Sequence, residues 1–115
     1  MGQIRAIVTY RLTGDIETAK DVMRRAAAYT GEHFGDRLTF DPYVDEASGK
    51  VLWVNAAVDE DTLVEWEQDM GDKTGLRVEV MSVLEPVSMD ILDPITDPRL
   101  ERLREAGTLM KSMLA

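Results

Sequence analysis

The sequence predicts an α+β domain in which two helices cover one face of a four-stranded antiparallel sheet. Segments with strand and helix periodicity follow one another in the order β-α-β-β-α-β, and right-handed crossovers fold that order into a ferredoxin-like sheet. The chain has 115 residues, of which 44% are hydrophobic and 30% charged, as in one folded domain. We expect a single domain over residues 1–115, with a core at about 4–84 and a C-terminal helical extension at 85–115.

The first strand and helix are predicted from a change of apolar period. In "IRAIVTYRL", every second residue from Ile4 to Leu12 is apolar, which indicates a strand with one buried face. The following "TGDIETAKDVMRRAAAYTGEHFG" has apolar residues at helical spacing, with Thr13 or Asp15 as N-cap and Gly35 as terminator. The apolar face of the strand is expected to look toward this helix.

A β-hairpin and a second helix follow. "LTFDPYV" and "KVLWVNAAV" have strand composition, and Gly49 in the turn between them suits a positive φ. Pro42 cannot donate to a strand ladder, which favours an edge position for its strand. Asp59 is the predicted cap of the second helix, and the apolar residues at helical spacing on its inner face are Leu63, Trp66 and Met70.

The fourth strand is predicted at "LRVEVMSVL", residues 76–84, and its alternation completes the sheet. The sheet face away from the helices is then apolar: Ile7, Thr9, Tyr43, Val51, Trp53, Asn55, Ala57, Met81 and Val83. Such a face is too apolar for solvent, so we expect a homodimer that stacks sheet on sheet. In the extension, Asp97 and Pro98 begin a short helix. The extension and its apolar end, "TLMKSMLA", are expected to pack across the dimer or over a pocket mouth.

Composition excludes several classes of site. The chain has no cysteine, and His33 is its single histidine, so cysteine catalysis and a Cys or His metal site are excluded. A net charge of −9 disfavours nucleic acid and anionic membranes as partners. The sequence contains neither a segment long and apolar enough to span a membrane nor an N-terminal signal, so the expected location is cytoplasmic.

Tyr10 and Trp66 are the candidate catalytic residues. Both lie on faces predicted to look into the space between sheet and helices. Each has two interpretations, as a core aromatic or as a side chain that contacts a ligand. The hydroxyl of a buried tyrosine and the N–H of a buried tryptophan usually form a hydrogen bond, either within the protein or to a ligand. Together they could bracket a flat ligand.

Three residues of the hairpin are candidate ligand-binding residues: Asn55, Tyr43 and Trp53. A buried amide needs a partner, so Asn55 either bonds across a dimer or contacts a ligand. Tyr43 and Trp53 are interpreted as sharing its face, with interface packing as the alternative. His33 is expected to be a half-exposed residue at a helix end, with proton transfer as its alternative. The acidic residues of the second helix, from Asp59 to Asp72, are expected to form a solvated face.

Residues 38–66, "LTFDPYVDEASGKVLWVNAAVDEDTLVEW", resemble the central segment of the antibiotic biosynthesis monooxygenase family, which includes quinol monooxygenases. The family pattern is an L-x-F-x-x-Y strand, a polar turn, a Trp-containing strand and a D-x-x-A-L-x-x-H helix start. The resemblance spans residues 4 to about 84, and the tail is similar to the extension that many members carry. It implies a dimeric α/β barrel with a cavity between the sheet and helices of each protomer.

The resemblance also implies a chemistry. Family members oxidise polycyclic aromatic or quinol substrates without metal, flavin or other prosthetic group, and the substrate anion itself reacts with oxygen. Tyr10 takes the position of a pocket Asn in haem-degrading relatives, and Trp66 replaces the family's helix histidine, which disfavours haem degradation. Two hypotheses result: a cofactor-independent monooxygenase acting on an aromatic hydroxyl compound, and a dimeric module that binds such a ligand without turnover.

Overall fold

Four strands and four helices make up the fold, and the computed structural model describes residues 3–105. The sheet has the order β2-β3-β1-β4, and every neighbouring pair is antiparallel. This is the α+β, ferredoxin-like architecture that the sequence predicts. The elements are β1 (Ile4–Leu12), α1 (Ile16–His33), a 3₁₀ turn (Gly35–Arg37), β2 (Leu38–Asp45), β3 (Lys50–Ala57), α2 (Glu60–Gln68), a π-helical segment (Asp69–Lys73), α3 (Leu76–Val83), β4 (Leu84–Ile91) and α4 (98–105).

Local signals place the first two helices and the hairpin as predicted. The Asp15 carboxylate accepts a bond of 2.9 Å from the backbone N–H of Thr18 and so caps α1. Asp59 caps α2 in the same way through Thr62, at 2.8 Å. Gly49 has φ +75° in the hairpin turn, and β2, which carries Pro42, lies at the sheet edge.

The predicted fourth strand is wrong, because residues 76–83 form helix α3 and the strand is β4 at Leu84–Ile91. The buried residues Leu76, Val80 and Val83 fall at helical spacing, which the alternating pattern concealed. Val78 is 76% exposed, whereas the strand interpretation placed it inside. Residues 85–91, which the sequence analysis assigned to the extension, therefore complete the sheet against β1.

The predicted orientation of β3 is also wrong. Trp53 and Asn55 lie opposite Val8 and Ala6 of β1, and all four are buried on the sheet face that the helices cover. Tyr43 pairs with Leu52 and is 59% exposed, so it lies on the opposite face from Trp53. The cause is the run "VLWVNAAV", which is apolar at both phases of the strand period and therefore leaves the phase undetermined.

A buried hydrogen bond joins the two long helices. The indole N–H of Trp66 on α2 donates to the Thr30 hydroxyl on α1 at 2.8 Å, and that hydroxyl donates to the Ala26 carbonyl at 2.7 Å. Trp66 and Thr30 are each 2% exposed. A buried indole N–H left without an acceptor is costly, so this bond fixes the orientation of the Trp66 ring.

Thr30→Val should therefore destabilise the fold by about 1–3 kcal/mol, because it removes the acceptor of a buried donor while preserving side-chain shape. Urea denaturation at neutral pH measures the change. Thr30→Ser is the matched control, since it retains the hydroxyl and loses a methyl group. A valine variant as stable as the wild type, or more stable than the serine variant, would contradict this role.

Candidate functional site

A cavity of about 230 Å³ lies between the sheet and the helices. We call it the aromatic cavity. It is smaller than most ligand pockets, at roughly 300–1,000 Å³, but larger than the roughly 150 Å³ of an engineered cavity that binds benzene. Its size therefore suits a compact aromatic ligand. The lining residues are Val8, Tyr10, Trp53, Trp66, Glu67, Met70, Leu76, Arg77, Val80, Met81, Pro86, Met89 and Leu103.

Aromatic side chains form one wall of this cavity. Trp53 packs edge to face with Trp66, with ring centroids 6.5 Å apart, and Phe40 contacts both rings from behind, at 5.0 and 5.6 Å. The Trp66 N–H is already bonded to Thr30, so Trp66 offers a ligand only its ring. The Trp53 N–H is buried out of reach of the cavity and has no hydrogen-bond partner among residues 3–105, so Trp53 also offers a ligand only its ring.

Tyr10 enters the cavity from β1, where the strand pairing is irregular. The register with β4 shifts between Thr9 and Tyr10, opposite Pro86, and such bulges re-aim a side chain. The Tyr10 ring lies 4.9 Å from that of Trp53. Burial raises the pKa of Tyr10, the negative charge of Glu67 raises it further, and Arg77 partly opposes both. The hydroxyl is therefore protonated at neutral pH and can donate a hydrogen bond.

Glu67 and Arg77 form the charged part of the lining. The predicted solvated acidic face is wrong for Glu67, whose side chain is only 14% exposed. The Arg77 guanidinium donates to the Glu67 carboxylate at 3.1 Å and to its backbone carbonyl. Burial raises the pKa of Glu67, and the Arg77 charge opposes that rise. The cavity thus contains a carboxylate that is a stronger base than a solvated one.

The spacing of α2 contained a signal for Glu67. It follows Leu63 by four residues, so it lies beside the buried stripe that Leu63 and Trp66 define. Asp69 is a second exception in the acidic run: it is 6% exposed and accepts a 2.8 Å bond from the Tyr29 hydroxyl. Arg77 gave no such signal, because residues 76–84 were interpreted as a strand.

The π-helical segment makes room for Arg77. At Gly71 an added Cβ would lie 3.1 Å from Arg77 Nε, closer than ordinary contact. The missing side chain therefore leaves the path along which Arg77 reaches Glu67. A π-helical turn inside a helix is often found at a functional site.

Helix α4 packs beside the cavity. Leu100 is fully buried, and Leu103 contributes to the cavity lining. The Glu60 carboxylate holds the segment before α4, accepting bonds from the Thr96 hydroxyl at 2.8 Å and the Asp97 N–H at 3.2 Å. Helix α4 begins at residue 98, as Asp97 and Pro98 predict. Helix α4 thus lies beside the cavity, which is one of the two predicted positions for the extension; packing across a dimer stays a prediction, and "TLMKSMLA" lies outside the described residues.

Other candidate residues lie away from the lining. Tyr43 is on the outer face of the sheet, and Asn55 is fully buried with both amide atoms unpartnered within residues 3–105. His33 is exposed at the end of α1, where it stacks on Tyr29 with ring centroids 4.0 Å apart. In the described part of the chain, no cluster of three or more His, Cys, Asp or Glu side chains could hold a metal, and no helix could span a membrane.

This arrangement combines apolar enclosure with a few polar groups. An aromatic ring can pack against Trp53 and Trp66. Glu67 can accept a proton, Tyr10 can donate a hydrogen bond, and Arg77 can stabilise a developing negative charge. These are the groups that an acidic aromatic hydroxyl requires.

Comparison with known proteins identifies the fold. No family model and no curated protein matches the sequence. Among solved structures, Rv0793 from Mycobacterium tuberculosis is similar with a TM-score of 0.65 and 17% identity, over 84% of this chain and 99% of that one. SnoaB, a cofactor-independent oxygenase from Streptomyces nogalater, has a TM-score of 0.62 and 12% identity, over 85% and 98%.

A third similar structure is a dimeric protein of unknown function with a ferredoxin-like fold, from Bacteroides fragilis. Its TM-score is 0.55 at 12% identity, over 84% of this chain and 98% of that chain. At these identities the comparisons establish the fold alone. The chain therefore has the fold of these solved structures, in agreement with the ferredoxin-like fold that the sequence predicts.

The pKa of Glu67 should be measurably above that of an ordinary glutamate, because burial disfavours its charged form. A carboxyl ¹³C NMR titration measures it directly. Since the folded state then binds the proton more tightly, the wild type should lose stability relative to Glu67→Gln as pH rises from the ordinary glutamate pKa through the raised pKa of Glu67.

Two further variants complete this test. Arg77→Leu removes the opposing cation and should raise the pKa of Glu67 further. Glu32→Gln, at an exposed position of α1, controls for the loss of one negative charge. A Glu67 titration at or below the ordinary glutamate value would refute the assignment.

Proposed function

We propose that this protein is a cofactor-independent monooxygenase that oxidises a compact aromatic hydroxyl compound bound in the aromatic cavity. The observation that carries the proposal is the Glu67 carboxylate, 14% exposed and paired with Arg77 at 3.1 Å in an otherwise aromatic and apolar lining. The similarity in fold to SnoaB, described as a cofactor-independent oxygenase, supports the same chemistry. That support is an argument from fold, so the site residues carry the mechanism.

The first step is removal of the ligand's hydroxyl proton. Glu67 accepts it, and its raised pKa brings its basicity closer to that of an acidic phenol. Arg77 and the Tyr10 hydroxyl then stabilise the aryloxide oxygen, in a cavity where water competes little. Trp66 and Trp53 hold the plane of the substrate ring through packing against their indole rings.

Molecular oxygen is the oxidant. The aryloxide forms a bond from a ring carbon para to its oxygen to O₂, which becomes a peroxide anion on that carbon, and protonated Glu67 returns its proton to the outer oxygen. Loss of the carbon-bound hydrogen as a proton then breaks the O–O bond, leaving a carbonyl and releasing water. For a naphthol the balance is naphthol plus O₂ giving naphthoquinone plus H₂O. The substrate supplies all the electrons, so the mechanism requires no prosthetic group.

Oxygen consumption with 1-naphthol and anthrone tests this mechanism. Glu67→Gln should lower the rate by about 10²-fold or more, as expected for loss of a general base. Tyr10→Phe should lower it roughly fivefold to tenfold, the equivalent of one hydrogen bond. Trp66→Phe should weaken substrate binding through lost ring contact. Glu32→Gln, at an exposed position away from the cavity, is the control and should retain the wild-type rate.

The results separate the proposal from its alternative, a binding module of the same fold. Saturable thermal stabilisation by naphthol without oxygen uptake would favour the module. Two observations favour a binding module: the cavity is small, and its described lining contains no histidine. Wild-type turnover that is unaffected by Glu67→Gln would refute the proposed base.

We also propose that the protein is a homodimer in which two sheets stack through their outer faces. Ile7, Leu52 and Val54 are neighbours on that face and are only half-buried in the protomer. Tyr43, 59% exposed beside Leu52, extends the apolar surface. Burying this face against a second copy removes it from water. The dimeric Bacteroides fragilis protein with a similar fold supports the arrangement.

Light scattering should then give a mass of twice the 12.9 kDa chain. Leu52→Glu should shift the protein to monomers, because the dimer would bury an unpaired carboxylate from each copy. Val78→Glu is the matched control, since Val78 is 76% exposed on α3 and distant from the outer sheet face. A monomeric wild type would refute the dimer.

A further inference from the structure

A second depression, which we call the polar cleft, lies beside the aromatic cavity. It has a volume of about 310 Å³ and is bounded by α2, the π-helical segment, α3 and α4. Glu67, Arg77 and Leu103 line both spaces. These three side chains therefore form a shared boundary, so the two spaces adjoin each other.

The two spaces differ in chemistry. The aromatic cavity is lined mainly by apolar and aromatic side chains, whereas the cleft adds Gln68, Asp72 and Arg99. The Gln68 amide has both donors and an acceptor, and the Asp72 carboxylate accepts. Within residues 3–105, Arg77 uses one nitrogen toward Glu67, which leaves its other N–H groups free to donate. The cleft lining therefore combines donors and acceptors with the apolar side chains of Val64 and Leu103.

The charges in the cleft oppose an anionic group. Arg77 is paired with Glu67 at 3.1 Å, and Arg99 with Asp97 at 2.7 Å and Asp61 at 3.5 Å. Both guanidinium charges are thus already balanced. The Asp72 carboxylate makes no ion pair with any residue in the described range, so a negative substituent would meet an uncompensated negative charge. A neutral group avoids this repulsion and still satisfies the donors and acceptors.

We propose that the polar cleft binds a neutral, hydroxyl-rich substituent of the ligand whose aromatic ring occupies the cavity. The ligand class is therefore a phenol that carries a sugar or a similar polyhydroxylated group. This inference rests on the proposed binding of an aromatic hydroxyl compound, and it adds the chemical class of the substituent attached to the aromatic ring. Helix α4 takes part in recognition, because Arg99 and Leu103 belong to it.

Calorimetric binding of four phenols to the full chain tests the inference. The compounds are 4-methoxyphenol, 4-hydroxyphenyl β-glucoside, 4-hydroxyphenoxyacetate and 4-pentyloxyphenol, which share one phenol and differ in the para substituent. The glucoside should bind about fivefold or more tightly than 4-methoxyphenol, the gain expected from one or two additional hydrogen bonds. The acetate should bind more weakly than the glucoside because its negative charge lies near Asp72. The pentyl ether should gain less affinity over 4-methoxyphenol than the glucoside does, because its alkyl chain cannot form hydrogen bonds with the polar groups of the cleft.

Substitutions at Gln68 test whether the higher affinity of the glucoside arises in the cleft. Gln68 is exposed, so Gln68→Ala should preserve the fold and 4-methoxyphenol affinity while reducing the glucoside advantage to about twofold or less. Gln68→Trp should abolish that advantage by filling the cleft. Gln3→Ala is the matched control at an exposed glutamine outside the cleft.

The outcomes distinguish this inference from the proposed function. If 4-methoxyphenol binds and the glucoside gains nothing, or the acetate or pentyl ether binds best, the cleft assignment is refuted while cavity binding stands. If the glucoside advantage persists in both Gln68 variants, the sugar binds elsewhere and the inference fails. If none of the four phenols binds, the cleft assignment is refuted, while oxygen uptake with 1-naphthol, which has a free para position, decides the proposed function separately.

Discussion

The buried Glu67 carboxylate constrains the rest of the site. An ionised carboxylate in an apolar cavity requires a compensating cation or a proton, and Arg77 supplies the cation from a different helix. That pairing brings α3 close to α2, and Gly71 in the segment between them leaves space beside Arg77, where an added Cβ would lie 3.1 Å from Nε. The π-helical segment thus contributes to the position of the cation that compensates Glu67.

The aromatic wall is organised by a separate constraint. Trp66 cannot rotate without losing its bond to Thr30, and Trp53 and Phe40 pack against the Trp66 ring. The cavity thus has one wall fixed by a buried hydrogen bond and a polar end fixed by an ion pair. Helix α4 adds Leu103 to the lining, and the contacts of Glu60 with Thr96 and Asp97 hold α4 in place. Fixed walls of this kind preorganise a site for ligand orientation.

Elements with local signals were predictable, and those that depend on distant partners were not. The alternation of β1, the caps Asp15 and Asp59 and the turn at Gly49 are properties of short segments, so the sequence located them. Residues 76–84 satisfy both strand and helix spacing, and the choice is made by packing against α1 and by β4 entering the sheet. The phase of β3 is likewise chosen by tertiary packing. Tyr10 and Trp66 were correctly directed inward, but Glu67 was missed because its cation comes from the misassigned helix.

The π-helical segment at Asp69–Lys73 is a place where insertion or deletion of a residue would disturb the site. Thr74 and Gly75, the latter with φ +69°, separate this segment from α3, so removing one residue here would shorten the connection that carries Arg77 to Glu67. The contact between Arg77 and Glu67 would then be lost. A surface loop tolerates gain or loss of a residue, whereas this segment fixes where α3 begins, and α3 supplies Leu76, Arg77, Val80 and Met81 to the cavity lining; it should accept substitutions far more readily than deletions.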